Sequence, residues 1–254
     1  MIDSHCHIND PAYLSDPKKY IDEAKAAGVD FMLVIGFDLK SSIDAVRIAE
    51  EYENVYATVG VHPSDVKKMG KNDLKEIEKL LHSKKVLAIG EIGLDYYWDK
   101  DPVAREDQIY YFKEQIDLAN KHNLPIVIHS RDAIQETYSI LSVHKVKHGG
   151  ILHCYPGSKE MLLDFTKLGF VVGIGGVVTF KNAVTIKEVA KHVKPTDFVL
   201  ETDAPYLAPT PHRGEINHSK YLHLIASEIA SIRGEDVSEV IKHSDENFRR
   251  IMKI

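Results

Sequence analysis

Apolar residues recur along the chain in eight short runs, each followed by a longer stretch in which they return every three or four positions. The runs are MIDSHCHI, DFMLVIGF, VYATVGVHP, VLAIGEIGLD, PIVIHSR, GGILHCY, FVVGIGGVV and FVLETDAP. They are rich in Val and Ile, the pattern of parallel strands buried on both faces. The intervening stretches, such as SSIDAVRIAEEYE, DLKEIEKLLHS and VAREDQIYYFKEQIDLANKHN, have the spacing of amphipathic helices. After Pro211 the pattern predicts a loop and two helices, HSKYLHLIASEIASIR and EDVSEVIKHSDENFRRIM, the second starting at Asp236 or at the preceding Gly234. This alternation predicts an α/β fold, a closed (β/α)8 TIM barrel spanning residues 1–254 as one domain, with a doubly wound open sheet as the runner-up.

Bulk properties agree with that picture and narrow the function. A chain of 254 residues with 44% hydrophobic content can bury one large core. The net charge of −6 argues against a surface built to hold long duplex nucleic acid, while leaving room for local phosphate binding in a cleft dominated by bound cations. No apolar run is long enough to span a bilayer. Met1 leads almost directly into the first strand without a basic-then-apolar leader. The expectation is a cytoplasmic protein with no membrane contact and no obligate protein partner. Cys6 and Cys154 each adjoin a candidate ligand histidine, and strand alternation would aim both thiols away from it, into the packing between sheet and helices.

The chemistry sits at the ends of the runs. His5 and His7, two residues apart, share a strand face and can grip one metal ion. Glu91, His129, His153 and Asp203 stand at or near the C-terminal ends of runs four, five, six and eight. In a (β/α)8 barrel those ends surround one mouth. Singly, each residue would more often be a satisfied core histidine or a salt-bridge partner. Six together, without a cation, would repel and be costly to desolvate. Four histidines and two carboxylates exceed the needs of one tetrahedral ion, so two ions about 4 Å apart are expected. Glu91 is the expected bridge, with His5, His7 and Asp203 on one ion and His129 and His153 on the other. Glu91 and Asp203 are also the expected catalytic carboxylates. Imidazoles tolerate Zn, Mn, Co or Fe, and carboxylates with phosphate tolerate Mg, so the metal stays open.

The motifs IDSHCHIN, GEIGLDYY, PIVIHSRDA and ETDAPYL together resemble those of the TatD-like metal-dependent deoxyribonucleases, a branch of the metal-dependent hydrolase superfamily, across essentially the whole chain. The resemblance implies the same six ligands and a DNA substrate, taken at single-stranded stretches or ends. It is not complete. Gln135 stands where an acidic residue is usual, and GIGG replaces a serine-containing strand-seven segment. RGEINHS departs from R-G-K-x-N-x-P at Glu215 and Ser219, which puts substrate grip rather than chemistry in question.

Around the mouth, His62, Arg131 and Arg213 are placed to meet phosphate oxygens, and Tyr155 and Tyr96 to stack on a base or sugar. Salt bridging or simple solvation would equally account for the arginines, and packing for the tyrosines. Asp95 and Glu201 are expected to orient ligands or Arg131 from behind. His82, His122, His192 and His243 fall on helix faces or ends and are expected at the surface. Two rival readings accompany the nuclease: a metal-dependent hydrolase of a carbonyl centre (amide, lactone or aminoacyl-tRNA ester), and a silent barrel used for binding. Many binuclear amidohydrolases bridge their metals through a modified lysine, and no strand end here offers one.

Overall fold

The strand–helix alternation folds as expected into a parallel barrel. The computed structural model describes residues 1–254. Its strands β1 (Ile2–Cys6), β2 (Phe31–Ile35), β3 (Val55–Val59), β4 (Val86–Asp95), β5 (Ile126–Arg131), β6 (Gly150–Leu152), β7 (Phe170–Ile174) and β8 (Phe198–Leu200) pair in chain order. Helices α1 (Pro17–Ala26), α2 (Leu39–Glu51), α3 (Asp73–Leu80), α4 (Pro102–His122), α5 (Ile134–Val143), α6 (Lys159–Lys167), α7 (Val184–His192), α8 (Leu222–Arg233) and α9 (Val237–Met252) complete it. Gly234, in the left-handed conformation, ends α8, and the Asp236 side chain caps α9 by accepting from Ser238 N–H. No helix is long and apolar enough to cross a membrane.

The seam between β1 and β8 is closed outside the regular ladder. Asp203 N–H donates to the His5 carbonyl at 2.9 Å, and His7 N–H to the Ala204 carbonyl at 2.8 Å. Below them Ser4 Oγ donates to the Leu200 carbonyl. The Asp3 carboxylate accepts from Thr202 N–H at 3.0 Å, Thr202 Oγ at 2.6 Å and Ser219 Oγ at 2.6 Å. Thus Ser219, where the resemblance expects proline, supplies a hydroxyl to a fully buried acid. Burial pushes Asp3 up to about 6 despite those donors.

The apolar residues divide into two cores. A large one packs the outward faces of the strands against the helices and includes Cys6, whose thiol meets the Leu33 carbonyl. A smaller one fills the barrel interior with Ile2, Leu33, Leu87, Val127, Ile151, Val171 and Val199. Its floor is closed by Phe248, Ile251 and Met252 from α9. The interior is therefore apolar at the N-terminal ends of the strands and becomes ionisable only at their C-terminal ends.

Candidate metal centre

His5 and His7 sit at the end of β1 with their Nε2 atoms 3.3 Å apart. Asp203 Oδ1, just past β8, lies 3.7 Å from His5 Nε2 and 3.4 Å from His7 Nε2. Glu91 Oε2 lies 3.7 and 4.0 Å from the same two nitrogens. A tetrahedron with metal–ligand bonds near 2.1 Å has edges of about 3.4 Å. These separations, 3.3 to 4.0 Å, are therefore those of donors arranged around a common centre.

The other oxygen of Glu91 faces a different set. Glu91 Oε1 is 3.0 Å from His129 Nδ1, 3.7 Å from His153 Nε2 and 3.8 Å from His62 Nε2. His153 Nε2 is also 3.9 Å from Asp203 Oδ1, and its ring stacks on His5 at 3.5 Å. His153 thus stands between the two sets, whereas the sequence placed it with His129 alone. Three groups of donors close enough to hold an ion result: His5, His7 and Asp203; His5, Glu91 and His153; and His62, Asp95 and His129.

Backbone geometry places Glu91 at this crossing. β4 runs on past the end of β3, and its pairing with β5 shifts register between Ile89 and Ile92. Glu91 N–H there donates to the Gly36 carbonyl at 2.7 Å. Gly93, with φ +139°, lets β4 lie against β5: a Cβ at that position would stand 2.0 Å from the His129 carbonyl oxygen. Gly173, in the GIGG segment, makes room in the same way, since a Cβ there would lie 2.1 Å from Glu201 Oε2.

The supporting carboxylates lie behind the histidines. Asp95 Oδ2 contacts His129 Nε2 at 3.1 Å, leaving Nδ1 to face Glu91. Glu201 Oε1 lies 3.2 Å from His153 Nδ1 and accepts from Cys154 N–H at 2.6 Å. Such partners fix ring orientation in metal sites. The buried nitrogens His5 Nδ1 and His7 Nδ1 have no hydrogen-bond partner, and His153 Nδ1 meets Glu201 Oε1 as an ion-pair contact without hydrogen-bond geometry.

The electrostatics call for positive charge at the centre. Burial disfavours ionised Glu91, yet the surrounding His62, His129, His153 and His5 hold it well below the usual carboxylate range. Burial likewise favours neutral His153, but Glu201 and Asp203 outweigh it and raise the group to about 10. His129 is raised for the same kind of reason, against its own desolvation, by Asp95 and Glu91. Burial beside His129 drives His62 down to about 3. Two carboxylates buried among four imidazoles draw positive charge to this point, which a divalent cation would supply, so the donor set fits a metal ion.

A cavity of about 760 Å³ opens over these donors. Among the residues expected to contact substrate, His62 and Arg131 line it. Tyr155 does not: it is buried against Phe165, with its hydroxyl donating to the Ser158 carbonyl. Tyr96 is also buried, donating to Glu136. Arg213 lies outside the cavity, stacked at 3.6 Å on Phe180. Glu215 pairs with His212 at the surface, so its reversed charge does not reach the donors. Cys154 departs from the expected inward packing. Beyond the short β6 its φ of +44° breaks the strand alternation, and the residue lines the cavity. The sequence reading missed Trp98 and Tyr206, which line the mouth and are exposed. The signal was available in both cases: each is an aromatic within three residues of a strand-end carboxylate, Asp95 or Asp203.

Comparison with known proteins agrees with this geometry. The profile of the family described as TatD related DNase matches residues 2–253. A Bacillus subtilis protein named uncharacterized metal-dependent hydrolase YabD is 40% identical over 255 residues, covering 100% of this chain and 99% of that protein. The Escherichia coli K12 metal-dependent hydrolase YcfH is 33% identical, covering 100% and 96%. The crystal structure of YjjV, a TatD homolog from E. coli K12, superimposes with a TM-score of 0.95 at 28% identity, covering 100% of this chain and 98% of that one. With the barrel, the donor cluster at its mouth and these relatives in agreement, the chain belongs to the TatD-related family and is a metal-dependent hydrolase.

Proposed function

We propose that this hydrolase is a deoxyribonuclease, using two divalent ions to cleave phosphodiester bonds of single-stranded DNA or frayed DNA ends in the cytoplasm. The observation that carries the two-ion reading is the pair of Glu91 oxygens, one facing His5, His7 and Asp203, the other facing His129 and His153. The ion could be Mg, Mn, Zn, Co or Fe by the chemistry of the donors. The family's description supports a nucleic-acid substrate. The two free cysteines, Cys6 and Cys154, suit a reducing compartment.

When bound, the ions lower the pKa of water and neutralise charge on a phosphate. Asp203, at the edge of the cavity, accepts the proton of the attacking water. His62 and Arg131 donate to the phosphate oxygens and stabilise the negative charge that builds on them. Asp95 and Glu201 hold the His129 and His153 rings in place.

The test is digestion of end-labelled linear DNA, closed circular duplex, RNA and an aminoacyl ester by protein reconstituted with each metal in turn. Faster loss of single-stranded and frayed ends than of closed circles is expected, with a shallow salt dependence because few phosphates are touched. Rapid nicking of the closed circle defeats the end preference. Turnover of the ester with no nucleic acid cleaved moves the protein to the carbonyl-hydrolase reading.

A further inference from the structure

Two aromatic side chains are left in water on opposite sides of the cavity. Trp98, the chain's sole tryptophan, is 68% exposed, and Tyr206 is 53% exposed. Trp98 follows β4 and Tyr206 follows β8, which lie four strands apart in the eight-stranded order and so face each other across the barrel. Both line the cavity over the donor cluster. An exposed ring of this size gains when a ligand covers it, by stacking and by removal from water.

The backbone at both residues is tied to the centre. Trp98 N–H and Tyr97 N–H both donate to Asp95 Oδ1, whose other oxygen contacts His129. Gln108 clasps the same turn, accepting from Asp95 N–H and donating to its carbonyl. Tyr97 packs edge-on to Trp98 and carries the Arg131 guanidinium on its face at 3.8 Å. On the other side Tyr206 N–H donates to the Asp203 carbonyl at 2.8 Å, and its ring meets the edge of His7.

Resting on the nuclease reading above, we propose that Trp98 and Tyr206 are stacking platforms for unpaired nucleobases on either side of the scissile phosphate, with Arg131 gripping the backbone beside the Trp98 platform. Stacked bases in a closed duplex cannot reach both rings, so the platforms select single strands. They also select substrates bearing a ring on each side of the reacting bond over simple phosphate esters.

Trp98 reports its own occupancy. A phosphorothioate-linked DNA trinucleotide, titrated into the Mg-loaded protein, should quench the tryptophan emission, and an abasic strand of equal length should not. Trp98→Ala should raise KM for base-bearing strands by roughly tenfold to hundredfold, down to the affinity of the abasic strand, with kcat little changed. Tyr206→Ala should do the same to a lesser degree while leaving the quenching in place. Equal quenching by both strands, or none by either, overturns the proposal. So does a Trp98→Ala enzyme that still prefers base-bearing strands, in which case DNA cleavage itself stands. Quenching by the trinucleotide without cleavage of any DNA under any metal leaves the platforms in place and removes the nuclease reading.

Discussion

The two ends of the barrel are built from the same strands and obey opposite rules. At the floor, the side chains of Ile2, Leu33, Leu87, Val127 and Val199 form one apolar cluster with Phe248, Ile251 and Met252 of α9. At the mouth, a few residues further along, His5, Glu91, His153 and Asp203 are just as thoroughly buried. Burial at the floor is favourable by itself, because apolar surface leaves water. Burial at the mouth is unfavourable unless a cation offsets the desolvation of the donors. The floor therefore stabilises the fold, and the mouth spends stability on chemistry.

The comparison breaks most readily at the floor. Phe248, fully buried against Phe31, closes the barrel from below. Phe248→Ala should cost about 3–5 kcal/mol of stability in denaturant unfolding, with activity per folded molecule unchanged. A similar loss of turnover at low temperature would mean that the floor also shapes the mouth. The reciprocal variant is Glu91→Ala. It should lower kcat at least a thousandfold, about 4 kcal/mol at the transition state, while the chain still unfolds cooperatively. Loss of folding in step with activity would make Glu91 a structural residue.

Metal removal sharpens the contrast. An ion present at a hundred times its Kd should stabilise the folded protein by about 2.7 kcal/mol, or roughly 5–10 °C in Tm for a chain of this size. Stripping with chelator should remove that increment in Phe248→Ala as in the parent, and find none to remove in Glu91→Ala. A chelator-sensitive Tm in Glu91→Ala would show that the His5, His7 and Asp203 set holds an ion without the bridge.

The smallest effect concerns a titrating ring apart from the donors. His218 stacks on Tyr20 at 3.9 Å with Glu23 at 3.4 Å and Lys220 nearby, and burial lowers it to about 4. Between that value and its ordinary 6.5, the unfolded chain binds a proton that the folded chain does not. The His218 contribution to stability should therefore fall as pH drops from about 6.5 to about 4, by a few kcal/mol at most, while Asp3, raised to about 6, contributes in the opposite direction below that pH. His218→Gln should remove that contribution, leaving the protein less acid-sensitive than the parent between about 6.5 and about 4, without touching metal affinity. An unchanged slope would place the acid sensitivity in the mouth instead.

Much of this is legible in the sequence. The run-and-helix rhythm named the barrel, because buried parallel strands and amphipathic helices leave distinct periods in a sequence. Strand-end positions named His5, His7, Glu91, His129, His153 and Asp203, since a barrel gathers its strand ends at one mouth. Tyr155, Tyr96 and Arg213 failed as mouth residues because nearness in sequence to a ligand does not say which way a loop turns. Tyr155 was drawn into the outer core by Phe165, and Arg213 was captured by Phe180. Cys154 failed because alternation holds only within a strand, and β6 ends at Leu152.

By itself, then, the sequence determined the number and order of the elements, the residue types at the strand ends and the need for a cation among them, all consequences of local periodicity and of the cost of burying charge. Only the tertiary structure decided that Glu91 turns one oxygen to each donor set, that His153 stands between them, and that Trp98 and Tyr206 face each other over the cavity. Those depend on a register shift in β4, on strand lengths and on which strands lie opposite. These are relations between distant segments, set by the closing of the barrel rather than by any stretch of chain.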